Sequence, residues 1–180
     1  MAVRLGQAVF GDTRDVVRSG NWYGNDTLWR TVLDLNKALF YFDGEGERRR
    51  RPLRYLTLVD GIVAGEGDGP ASPDRRAAGI IVAGFNPVAV DTVCATIMGF
   101  DYRKVPLLER AWHVEQYPLV GFRPEDVLCE SNVSEWRGAL RTLLNAKHLG
   151  FRPHFGWMGH IEREGDCVES GSLGSVDQQK

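Results

Sequence analysis

Residues 60–70 read Asp-Gly-Ile-Val-Ala-Gly-Glu-Gly-Asp-Gly-Pro. Glycines at 61, 65, 67 and 69 free the backbone for positive φ and for close approach of N–H groups to a ligand. Phosphate-cradling loops use glycine in this way but complete the site with Lys or Ser/Thr. Here the side chains are Asp60, Glu66 and Asp68, which suit a divalent cation such as Mg²⁺ or Ca²⁺, or an amine or hydroxyl of a small-molecule ligand. The EF-hand spacing of acids is missing. The competing reading is a tight solvated loop whose acids fix its geometry. A stretch of this length between two apolar runs favours function.

Asn86-Pro87-Val88-Ala89-Val90-Asp91 is the second constellation. Asn before Pro opens a helix, and free N–H groups at such an end favour an anion. Asp91 lies one turn in and leans back toward the Gly84–Pro87 turn. Placed among Val88, Val90, Val93 and Ile97, its carboxylate is expected to be largely buried and to need donors, a cation or a proton. The expected metal set is therefore Asp60, Glu66, Asp68 and Asp91. The expected ligand contacts are Gly65, Glu66, Gly67, Asp68, Gly69 and Asn86. A third segment, Trp22 to Arg30, adds Asn25 and Arg30 as ligand candidates, with Arg30 and Asp34 at pairing distance on one helix face. Asn25 and Asp26 equally suit helix capping.

Cys94, Cys129 and Cys167 contain no CxxC, so no iron–sulfur cluster is expected within the chain. The four histidines lack HxxxH and HExxH spacing; His154 and His160, which flank an aromatic, glycine-containing stretch, are the pair to weigh as metal ligands against plain surface or core histidines.

These side chains need a scaffold. Thr27–Phe42 reads as a helix with Leu28, Val32, Leu35, Leu39 and Phe42 in one buried stripe. Arg48 to Arg51 reads as a solvated connection. Tyr55–Val59 and Gly79–Gly84 read as adjacent buried strands, separated by a long irregular glycine-rich loop. Helices are expected from Pro87 to about Met98, over Val105–His113 and over Ser134–His148, with a short strand at Val127–Cys129. The helices at 27–42 and 87–98 are expected to pack on the sheet. The whole predicts an α/β fold, a small mostly parallel or mixed sheet flanked by helices. Parallel strands would bring Asp60 and Asn86 to one carboxyl edge, where open α/β sheets bind ligands. Residues 1–164 are expected to form one domain and 165–180 a disordered tail.

The chain has 180 residues, 43% hydrophobic and 26% charged, with a formal net charge of −2. That balance gives no reason to expect nucleic acid or a membrane surface as partner. No apolar run approaches the ~20 residues of a membrane-spanning helix, and no signal peptide is evident, so a cytoplasmic location is expected.

Gly20–Asp43, Val59–Pro70, Gly79–Asp91 and Met98–Asp101 together resemble the family called domain of unknown function 362, over roughly residues 20–110. The resemblance implies an α/β fold and no particular reaction. Some members add a cysteine-rich ferredoxin-like module, whose cysteines this chain lacks. Members are typically longer, with a further α/β portion upstream, so a homo-oligomer or a partner chain is a further expectation. Two functions stand open. One is an enzyme or metal-dependent ligand binder; the other is a non-catalytic accessory or truncated binding domain with a structural acidic loop.

Overall fold

The computed structural model describes residues 20–168. The expected tail therefore lies mostly outside the described residues, as does the lead-in before Gly20. In chain order the elements are α1 (Leu28–Tyr41), β1 (Thr57–Glu66), β2 (Asp74–Gly84), α2 (Pro87–Met98), α3 (Pro106–Trp112), β3 (Leu128–Cys129), β4 (Gly138–Ala139) and α4 (Leu140–Asn145).

Among the described residues the strands form two separate two-stranded antiparallel sheets, β1 with β2 and β3 with β4. The expected mostly parallel or mixed sheet is therefore wrong. The glycine-rich stretch misled the reading. Instead of looping, it continues β1 to Glu66, turns through residues 67–73, and returns as β2 from Asp74. A connection this short permits only a hairpin, because parallel pairing needs a crossover of a dozen or more residues. Gly61 serves the strand directly, since a Cβ there would meet Ile80 Cγ1 at 2.9 Å. The glycine lets the paired strands close, and the register shifts between Gly61 and Val63.

α2 is the central post. Asn86 caps it by accepting the Ala89 N–H at 3.0 Å, Pro87 occupies the first turn, and Gly99 ends it in the left-handed region at φ 102°. Val88, Val90, Val93 and Ile97 are buried, as expected for this helix. Thr92 and Thr96 are fully buried and donate their hydroxyls back to the Val88 and Thr92 carbonyls at 2.7 and 2.8 Å. The main core gathers Val93, Ile97, Phe100, Leu108, Trp136, Leu140, Leu143 and Phe151. A second cluster joins Leu33 and Phe40 of α1 to Val88, Ala111 and Leu119.

α1 docks on a different face from the one its sequence advertises. Leu33 and Phe40 are its buried residues, whereas Leu28, Leu35 and Leu39 are 55%, 64% and 52% exposed. Its most populated contact is with α3, not with the sheet. The expected helix over 134–148 is broken up. A 3-10 turn at Ser134–Trp136 precedes β4, and Gly138 at φ 118° interrupts the chain before α4 begins at Leu140.

Candidate functional site

The hairpin turn sits against α2 and against the segment Phe151–Ile161, enclosing a cleft of about 450 Å³. One wall is Gly65, Glu66, Gly67 and Gly69; the opposite wall is Asp91, Cys94, Ala95 and Met98 of α2. Phe100, Leu107, Leu108, Phe151 and Trp157 give it an apolar interior, and Arg152 and His154 stand at its rim.

The turn is locked from outside. Gly67 donates its N–H to the Arg152 carbonyl at 2.9 Å, and Arg152 donates its own N–H to Glu66 Oε2 at 3.0 Å. The Arg152 guanidinium pairs with Asp74. Gly67 is required here: it adopts φ +73°, and a Cβ would lie 2.6 Å from Arg152 Nη2. Asn21 donates to the Gly69 carbonyl at 3.4 Å and accepts the Trp157 indole N–H at 2.6 Å. Glu66 also lies 4.0 Å from Arg76. Its carboxylate is thus largely spent on the protein.

The four expected metal carboxylates do not form one set. Asp60 lies opposite Ile81 in the hairpin register and is exposed, its Oδ1 accepting the Ile62 N–H at 3.1 Å. Six residue steps of strand separate it from Glu66, about 20 Å at ~3.3 Å per residue. Asp68 is half-buried in the turn, where its carbonyl accepts the Ser72 N–H at 2.9 Å, and it does not line the cleft. Among the described residues no three His, Cys, Asp or Glu side chains converge as a metal site. His154 and His160 are also apart in role. His154 lines the cleft and accepts the Gly156 N–H at 3.1 Å, while His160 stacks on Tyr23 with centroids 4.3 Å apart.

Asn86, Asn25 and Arg30 are engaged elsewhere. Asn86 caps α2 with its oxygen and donates its amide to the Leu119 carbonyl at 2.9 Å. Asn25 accepts the Thr27 and Leu28 N–H groups at 2.9 and 3.1 Å, starting α1. Arg30 pairs with Asp26 at 2.6 Å instead of Asp34, which pairs with Lys37 at 3.1 Å.

Asp91 remains. It is exposed, contrary to the expectation of burial, because α2 turns this one position toward the cleft mouth. Among the described residues its carboxylate accepts no hydrogen bond. The apolar groups on one side of it desolvate it in part, which raises its pKa, while its other side stays open to water. The same surroundings push the Cys94 thiol up to about 11, chiefly by burial, with the charges of Asp91 and then Cys129 adding to it. Cys94 is therefore a neutral thiol in this wall, not a ready nucleophile. Sequence reasoning missed Arg152 and Trp157, and considered His154 only as a metal ligand with His160; the aromatic, glycine-containing run around them was the available signal.

The family model described as Domain of unknown function (DUF362) matches residues 8–96, which include both strands of the hairpin and the Asn86–Asp91 start of α2. No curated protein and no solved structure matches the chain.

Proposed function

We propose, for a chain whose residues 8–96 belong to the DUF362 family, that the cleft under the hairpin turn binds a small organic ligand with an apolar, ring-sized body and a cationic amine or hydroxyl end. The apolar body fits against Phe100, Phe151 and Trp157, and the donor end meets Asp91. The observation that carries this reading is the Asp91 carboxylate, held at the cleft mouth with a raised pKa and no hydrogen-bond donor among the described residues. A carboxylate so placed is stabilised by an incoming donor, most strongly by a cation. The volume suits a ligand of modest size.

An amine is favoured over a divalent metal ion. A metal needs several oxygen ligands at once, and no such group assembles here among the described residues. The groups that support this reading are recognition groups: among the described residues the Cys94 thiol in the wall is held neutral. Isothermal titration with aromatic amines and their uncharged amide counterparts tests it. Amines are expected to bind at least tenfold more tightly, and Asp91→Asn is expected to remove that preference. Equal binding of both classes, or tighter binding of Mg²⁺ or Ca²⁺ that depends on Asp91, would overturn it.

A further inference from the structure

A larger groove lies on the other side of the hairpin, about 790 Å³, and its residues define its shape. Gly79 through Asn86 line it without a gap. Successive residues of a strand point to opposite faces, so a sheet face would contribute alternate residues only. An unbroken run means that the groove runs along the backbone edge of β2. Among the described residues that edge is unpaired, because β2 belongs to a two-stranded sheet and its partner β1 occupies the other edge. The opposite wall is Asp126–Val133, which contains β3, also an outer strand of a two-stranded sheet. The floor is apolar: Ala89, Val90, Val93 and Ile97 of α2, with Trp136.

We infer that this groove accepts an extended polypeptide segment from a partner chain, which adds a strand beside β2. The β2 part of that run, Gly79–Gly84, is six residues and about 20 Å at ~3.3 Å per residue, the length of a strand of about six residues. The N–H and C=O groups of that edge, unpaired among the described residues, supply main-chain hydrogen bonds, as in strand addition generally. Side chains of the added strand alternate between the apolar floor and the open side. Among the described residues the charged groups lining the groove are Asp126 and Glu130, both acidic. Asp126 already faces Arg123 at 3.7 Å, whereas Glu130 has no ion pair among the described residues. The occupant is accordingly a segment with aliphatic residues facing inward and basic residues outward.

The test uses the full chain and a fluorescein-labelled nine-residue peptide alternating Val and Lys. Anisotropy should report saturable binding, with amide exchange slowed at Gly79–Phe85 and at Leu128–Cys129. A version N-methylated at alternate residues should bind more than tenfold more weakly. Replacing Lys by Glu in the peptide, or introducing Glu130→Lys on the exposed wall, should weaken binding by about fivefold to tenfold. Equal binding of the methylated peptide, or the absence of protection along β2, overturns the proposal. So does binding that appears only after residues 1–19 are deleted, which would make the groove the chain's own. A concentration-dependent dimer that protects the same β2 amides would overturn it in favour of a second copy. The amine titration in the other cleft reads Asp91 and is independent of these outcomes.

Discussion

The backbone N–H of Arg152 donates to Glu66 Oε2 at 3.0 Å, joining residues 86 positions apart in the chain. With the Gly67 N–H returning to the Arg152 carbonyl at 2.9 Å, it clamps the hairpin turn to the segment that closes the cleft. The acid of the turn that looked most like a ligand thus works as a fastener. Glu66→Ala leaves the exposed Arg152 N–H to water and should cost about 0.5–1.5 kcal/mol. Glu66→Gln retains an acceptor and should cost less. Urea denaturation of the two variants checks the ordering, and equal midpoints would contradict the fastening role.

Thr92 and Trp112 form a second internal tie. The indole N–H donates to the fully buried Thr92 Oγ1 at 3.0 Å, linking α2 to α3. Thr92→Val keeps the shape and removes the acceptor, so the indole N–H loses its partner. A loss of about 1–3 kcal/mol is expected. Thermal denaturation measures it, and a Trp112 emission maximum displaced from that of the parent chain accompanies it.

The stripe on α1 shows where legibility ended. The period of Leu28, Val32, Leu35 and Leu39 correctly marked a helix, and Asn86-Pro87 correctly marked the start of another. Periodicity reports which face is apolar, not which neighbour covers it. Leu33 and Phe40 found α3 and α2, and the stripe stayed outside. The hairpin failed for another reason. Glycines 61 and 65 looked like loop punctuation because their service to the strands, allowing Ile80 and Pro73 to come close, involves residues 8 to 19 positions away. The cleft was half legible: Asp91 and the glycine turn were visible, while Arg152 and Trp157 entered only through tertiary folding. Leu35→Glu should change stability by no more than about 0.5 kcal/mol, as at an exposed position. It should also raise solubility, measured by light scattering. A loss of several kcal/mol would mean that the stripe is covered in solution.

Asp101 sets a pH dependence in the acid range. Burial alone would raise its pKa, but hydrogen bonds from the Arg103 side chain and backbone, with the Arg103 charge, outweigh it and hold the carboxyl low. The side-chain bonds are 2.8 Å each. A carboxyl whose folded pKa lies below its unfolded value of about 3.9 stabilises the fold above that value, and the contribution disappears as pH falls through the folded pKa. Asp101→Asn should therefore lower the melting temperature at pH 7 and flatten its fall below about pH 4. A variant with an unchanged acid limb would show that Arg103 contributes nothing.

Asp91 should behave in the opposite sense. Desolvation raises its folded pKa, so ionisation is harder in the fold than in the unfolded chain. The penalty is absent below the unfolded value of about 3.9. It grows as pH rises above that value and is complete once the raised folded pKa is passed. Asp91→Asn removes the penalty and should raise the melting temperature of the ligand-free chain at pH 7, with little change at pH 3. Amine binding should run the other way, strengthening as pH rises through the folded pKa and vanishing in the variant. This is the trade expected of a group kept for a ligand at the expense of stability. A lower melting temperature for Asp91→Asn at pH 7 would show instead that the carboxylate holds the fold together, and the cleft would lose its recognition group.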